Sequence, residues 1–253
     1  IEVNGAAMVD ASGGTNIGAS AGQGGDGGFI TVNAQDDTAG EFASVLLDGR
    51  LMANGGDSVN APGGDGDGAA ISIVGETIAV GNPSGDPSIW ASGGSSSVSG
   101  GFGDDGGDGG QIDISTDGDS GASNPVVNLG EQASLITLGG SGDDDGGTGG
   151  TVNVTVGLID GDGGDTELAG IIDASGGATT DDGGSGGEVL DTIAVTSTGQ
   201  VATTSTFVGL TRGGAPLLHE SDTRTIDALE MAGGIGGQIT IVAGAAGGAD
   251  NAQ

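Results

Sequence analysis

Gly109-Gly110-Gln111-Ile112-Asp113-Ile114 is the stretch from which the fold can be read. Behind the glycine pair the chain alternates polar and apolar residues, the period-two pattern of a strand with one buried face. The pattern recurs at Gly27-Gly28-Phe29-Ile30-Thr31-Val32, Gly68-Ala69-Ala70-Ile71-Ser72-Ile73 and Gly149-Gly150-Thr151-Val152-Asn153-Val154. Two further copies are read at Gly186-Gly187-Glu188-Val189-Leu190 and Gly236-Gly237-Gln238-Ile239-Thr240-Ile241. The first residues after these glycines are 29, 69, 111, 151, 188 and 238. Their mean spacing is about 42 residues, which is the signature of a repeat architecture.

Working outward, a second element precedes each copy: an apolar stretch closed by a small residue and Gly-Gly. It appears as Met8-Val9-Asp10-Ala11-Ser12-Gly13-Gly14, Leu51-Met52-Ala53-Asn54-Gly55-Gly56 and Ile89-Trp90-Ala91-Ser92-Gly93-Gly94. It returns at Leu135 to Gly140, Ile171 to Gly177 and Leu229 to Gly234. A third, looser apolar segment lies between copies: Phe42 to Leu47, Thr77 to Val80, Val126 to Leu129, Val154 to Ile159 and Ile193 to Val195. The last repeat is longer, and 199–225 reads as an insertion within a single 1–253 domain.

A short strand with one apolar face cannot bury itself, and stacking like units solves the problem. The sequence therefore predicts an all-β fold, a right-handed parallel β-helix (β-solenoid) of about six Gly/Asp-rich repeats of ~42 residues. One coil per repeat gives a rise of about 4.8 Å, and two coils double it. A propeller fits less well, because blades of this length carry aromatic signatures. Aromatics here are only 2% of the chain. The best helix candidate, Thr225 to Met231, is short. Ala11, Ala53, Ala91 and Ala174 mark expected corners, where the Gly-Gly pairs are expected to relieve φ strain.

The short strand ending Ala-Ser-Gly-Gly or Ala-Asn-Gly-Gly, the Gly-rich loop and the Gly-Gly-x-Ile-x-Ile strand together resemble Gly-rich parallel β-helices of bacterial surface and secreted proteins. The nearest comparison is with adhesins of the filamentous-haemagglutinin and autotransporter-passenger kind. The resemblance covers residues 1 to about 198 and 226 to 253, and carries no catalytic residue onto this chain. It implies an extracellular or cell-surface stalk, fibre or display scaffold.

Composition narrows the function classes. The chain of 253 residues has 36 acidic and 3 basic residues, a net charge of −33, 61 glycines and no cysteine. No disulfide or thiolate site is possible. Arg50, Arg212 and Arg224 cannot build a nucleic-acid interface, which needs clustered cations. No apolar run reaches the roughly 20 residues of a transmembrane helix. High charge and high glycine favour disorder, yet 34% of residues are hydrophobic and sorted into strands.

Three roles compete for the acids. They can form a solvated face, with a composition like that of proteins from saline surroundings, where salt screens self-repulsion. They can bind Ca²⁺, which takes six to eight oxygens from flexible loops. The candidate ligands are Asp65, Asp67, Asp104, Asp105, Asp108, Asp143, Asp144, Asp145, Asp160, Asp162, Asp165, Asp181 and Asp182. Gly63 to Gly68 and Gly106 to Gln111 both miss the Ca²⁺-binding nonapeptide pattern at its sixth position. Lastly, carboxylate pairs can hydrolyse glycosides, but 28 aspartates make any one pair uninformative. The only histidine, His219, stands in the insertion with Arg212, Glu220, Asp222 and Arg224, and reads as a surface loop tied by ion pairs.

The expectation is therefore a non-enzymatic, extracellular structural solenoid: stalk, surface layer, filament or adhesin. Its ends read as open stacking faces, so it self-associates end to end or continues in a larger chain, with a surface glycan or protein as a further partner. The alternatives are a carbohydrate-active β-helix enzyme, hydrolase or lyase, and a Ca²⁺-dependent binding module.

Overall fold

The protein is described by a computed structural model over residues 1–17, 23–34, 43–59, 67–81, 88–97, 105–116, 125–142, 145–157, 165–178, 192–197, 201–203, 207–211, 226–227 and 238–243. Among these residues the chain is all-β, without a helix. Every strand pairing is parallel.

Successive strands join three long sheets in turn. The first sheet takes Glu2–Val3, Ser44–Leu47, Thr77–Val80, Val126–Leu129, Asp165–Leu168 and Val201–Thr203. The second takes Met8–Asp10, Arg50–Met52, Ser88–Trp90, Ser134–Ile136, Ile171–Asp173, Val208–Leu210 and Ile226–Asp227. The third takes Ile30–Asn33, Ala70–Gly75, Gln111–Thr116, Thr151–Val156, Thr192–Ser197 and Gln238–Ala243. A small fourth sheet pairs Ser58–Val59 with Ser96–Ser97.

Period two sets which side chains meet. In the third sheet Ile30, Ile71, Ile112, Val152, Ile193 and Ile239 occupy one register column. Ile71, Ile73, Ile112, Ile114, Val152 and Val154 are buried. They join Val45, Leu47, Ile78 and Val80 of the first sheet and Leu51, Ile89 and Leu135 of the second in one core. Each such side chain contributes about 1.5–3 kcal/mol on burial. A one-residue slip would turn a whole strand inside out, so the pattern locks the register.

Four details differ from the sequence reading. In the fifth repeat the third-sheet strand is Thr192–Ser197, not Glu188 to Leu190, because Ile193 and Val195 supply the column that continues Val152 and Val154. Thr151–Val156 is one third-sheet strand, so Val154 to Ile159 does not start a separate segment, and the next first-sheet strand is Asp165–Leu168. Within 199–225, read as an insertion, Val201–Thr203 and Val208–Leu210 continue the first and second sheets. Ile226–Asp227, at the start of the best helix candidate Thr225 to Met231, is a strand beside Val208–Leu210. Leu229 to Gly234 lies outside the described residues.

Between the second and third sheets the described residues of the first four repeats form a Gly-rich excursion with a pinned neck. Gly28 N–H donates to the Ala11 carbonyl at 2.6 Å, Ala69 to Ala53 at 3.0 Å, Gly110 to Ala91 at 2.5 Å and Gly150 to Thr137 at 2.7 Å. Beyond the neck, outgoing and returning backbones face each other and are cross-linked. Gly25 N–H donates to Gly14 O (3.0 Å), Gly56 to Gly25 (2.8 Å), Gly140 to Gly107 (2.8 Å) and Gly147 to Gly140 (2.9 Å). A Cβ built on Gly13 would fall on the Gly25 carbonyl, and one on Gly140 on the Gly94 carbonyl. The expected reason for the Gly-Gly pairs is thus corrected at Gly13, Gly56, Gly93, Gly94, Gly139 and Gly140, where close backbone approach excludes a side chain, while a Cβ on Gly14 would meet nothing within 4 Å. The positive-φ glycines among the described residues are Gly81 (97°) and Gly157 (69°), and neither belongs to a pair.

Candidate functional site

The acidic residues singled out by the sequence are the natural place to look for a site. Asp65, Asp104, Asp143, Asp144, Asp160, Asp162, Asp181 and Asp182 lie outside the described residues, as do Arg212, His219, Glu220, Asp222 and Arg224. Asp67, Asp105, Asp108, Asp145 and Asp165 are described. Asp165 opens a first-sheet strand, paired with Val126, rather than sitting in a loop. Asp105 and Asp145 are exposed, and the Gly106 N–H donates to the Asp145 carbonyl at 2.8 Å. Among the described residues no three His, Asp or Glu side chains converge as a metal site would need.

What the structure does bring together is a column. Asp26, Asp67, Asp108 and Thr148 stand four residues ahead of Ile30, Ile71, Ile112 and Val152, which share one register position. The Asp67 backbone N–H donates to Asp26 Oδ1 at 3.4 Å, the Asp108 N–H to Asp67 Oδ1 at 3.0 Å and the Thr148 N–H to Asp108 Oδ1 at 2.7 Å.

The glycine layers explain why these N–H groups turn to side chains. In a regular parallel ladder the Asp67 N–H would donate to the Gly25 carbonyl, and the Thr148 N–H to that of Gly107. Those carbonyls are already taken by the cross-linking N–H groups of Gly56 and Gly140. A backbone donor left over needs an acceptor, and the short Asp side chain of the preceding repeat supplies it.

The same substitution recurs at the neck. The Ala11, Ala53 and Ala91 carbonyls accept across the neck, so the next repeat's N–H groups go to side chains. Asn54 N–H donates to Ser12 Oγ (3.3 Å), Ser92 N–H to Asn54 Oδ1 (2.9 Å) and Leu138 N–H to Ser92 Oγ (3.2 Å). A third column runs from Asp57, whose Oδ1 accepts from Ser95 N–H at 2.9 Å, to Ser95, whose Oγ accepts from Ser141 N–H at 3.2 Å.

One local turn shifts an acid. The Ser12 hydroxyl and, secondarily, the Ser12 backbone N–H hold the exposed Asp10 carboxyl below its ordinary value, against a small opposing effect of burial. Asp173 and Ser175 repeat the motif, with both the backbone N–H (3.1 Å) and the hydroxyl (2.6 Å) of Ser175 donating to Asp173 Oδ1.

The columns escaped the sequence reading because their members lie 38 to 46 residues apart. The signal was present: Asp26, Asp67 and Asp108 keep a constant distance from the inward isoleucine. Reading neighbouring acids as loop clusters hid it. Trp90 ends a second-sheet strand half-buried. No helix among the described residues is long and apolar enough to cross a membrane. No family model, curated protein or solved structure matches the chain.

Proposed function

We propose that the chain is a right-handed β-solenoid of six repeats, one coil each, and that it is a load-bearing structural element outside the cell, as a stalk, surface layer or filament subunit. One observation carries this reading: hydrogen bonds run from each repeat to its neighbour in all three sheets, in the glycine layers and in the polar columns. Side-chain chemistry that an enzyme would direct at a substrate is here directed along the stack. At about 4.8 Å per repeat the six coils span roughly 30 Å, and further coils, in the same chain or a second copy, lengthen the structure without a new kind of contact. The resemblance to adhesin and autotransporter-passenger β-helices supports the extracellular placement. In this reading the described aspartates cap backbone donors and solvate the surface, and no Ca²⁺ is assigned to them.

Single-molecule pulling on the chain tethered at both ends tests the proposal. A load-bearing stack should resist and then yield in steps, each releasing about one repeat of roughly 42 residues. Extension in a single event at low force would refute it.

A further inference from the structure

Asparagine followed by glycine is the dipeptide in which a side-chain amide reacts most readily with the backbone, because no Cβ shields the next nitrogen. The chain holds two such pairs, Asn4-Gly5 and Asn54-Gly55. The fold treats them in opposite ways.

Asn54-Gly55 is half-buried beside the neck of its repeat. Both groups that would react are tied to one residue of the next repeat. The Ser92 N–H donates to Asn54 Oδ1 at 2.9 Å, and the Gly55 N–H donates to the Ser92 carbonyl at 2.8 Å. On the other side the Gly13 N–H donates to the Asn54 carbonyl at 2.7 Å. Joining Gly55 N to Asn54 Cγ requires this clamp to open, and that means a local parting of the stack. The same pair of bonds clamps Asp67-Gly68 to Asp108, and Asp108-Gly109 to Thr148.

Asn4-Gly5 has no clamp. It lies in the turn between Glu2–Val3 and Met8–Asp10, closed by the Ala7 N–H donating to the Asn4 carbonyl at 2.6 Å. Asn4, Gly5 and Ala6 are exposed. Among the described residues neither the Asn4 carboxamide nor the Gly5 N–H has a hydrogen-bond partner.

From this contrast we infer that Asn4 is a site of spontaneous covalent modification, and that the inter-repeat clamp preserves Asn54 from the same reaction. The Gly5 nitrogen attacks Asn4 Cγ and forms an N–C bond. The Cγ–Nδ2 bond breaks, and Nδ2 leaves as ammonia with the proton that Gly5 gives up. Water then opens the cyclic imide at either carbonyl, leaving aspartate or isoaspartate. Each event adds a negative charge to a chain already at −33. The isoaspartate product also routes the backbone through the former side chain, so the carbonyl that closed the turn leaves the main chain.

Trypsin separates the two pairs, because the chain has no lysine and its arginines are Arg50, Arg212 and Arg224. Asn4 is read in fragment 1–50 and Asn54 in fragment 51–212. The protein is held at mildly alkaline pH, which favours loss of the glycine proton, either folded or in guanidinium chloride. It is then digested, and the amide-to-acid mass gain is followed in each fragment. In the folded chain Asn4 should convert at least about tenfold faster than Asn54, which reacts only through local opening. In denaturant the two rates should converge. Asn4→Gln, whose ring needs one more atom, should remove the gain from fragment 1–50. An Asn4 no faster than Asn54 in the folded chain, a gap that persists in denaturant, or a gain in fragment 1–50 that survives Asn4→Gln would each overturn the inference.

Discussion

Replacing Gly140 by alanine asks whether the glycine layers are held by backbone contact. A Cβ at Gly140 would fall on the Gly94 carbonyl and come within 3.1 Å of the Gly107 nitrogen. Both obstacles are backbone, so no side-chain rotation relieves them. The layers must part, which weakens the bond from Gly140 N–H to Gly107 O (2.8 Å) and that from Gly147 N–H to Gly140 O (2.9 Å). Overpacking costs about 1–3 kcal/mol, and two hydrogen bonds are worth about 0.5–1.5 kcal/mol each. Alanine recovers about 0.4–1 kcal/mol by restricting the unfolded chain. The net expectation is a loss of about 1–5.5 kcal/mol. Gly14→Ala is the internal control: its Cβ would meet nothing within 4 Å, and its φ is not left-handed. It should be neutral or stabilising by about 0.4–1 kcal/mol. Urea titrations followed by circular dichroism compare the midpoints. Equal midpoints for the two variants would refute close packing as the reason for these glycines.

The carboxylate column and the Asp10 turn give two further tests. Asp108→Asn keeps an acceptor for the Thr148 N–H and removes one of three stacked charges, so at low salt it should match or exceed the parent protein in urea midpoint. Asp108→Ala loses that acceptor and should fall below both, by about 1 kcal/mol, and added salt should narrow the gap between the Asn variant and the parent. Ser12→Ala should raise the Asp10 pKa toward its ordinary value, read by carboxyl ¹³C chemical shifts against pH. Because the folded-state value is depressed, the Ser12 contribution to stability is present above the unfolded Asp pKa and is lost as pH falls through the folded one. An Asp10 titration unchanged by the substitution would remove Ser12 as the cause.

The third sheet was the most legible part of the sequence, because Ile112 and Ile114 point inward on either side of a polar residue and Gly-Gly announces them. The fifth repeat shows where that rule breaks. Gly186-Gly187 drew attention to Glu188 to Leu190, while the sheet uses Ile193 and Val195, so the register column and not the distance from the glycines decides. Asp165 was grouped with Asp160 and Asp162 as a loop ligand, whereas it opens the strand Asp165–Leu168. Thr166 and Leu168 are buried, and two inward residues suffice for a strand flanked by partners on both sides. The polar columns demanded knowledge of which carbonyls the glycine layers consume, and that is a property of backbone contacts between repeats.

The glycine layers bear on how a gene for such a chain changes length. Within these layers the boundary between two repeats is formed by backbone atoms and short polar columns, with little side-chain individuality to match. A duplicated segment of one whole period carries both surfaces that it needs to dock on its parent. Recombination that adds or deletes complete periods therefore preserves every contact type, whereas an exchange out of phase sets side chains where only hydrogen atoms fit. The physical barrier falls on point substitution and frame of exchange, and leaves copy number free to drift.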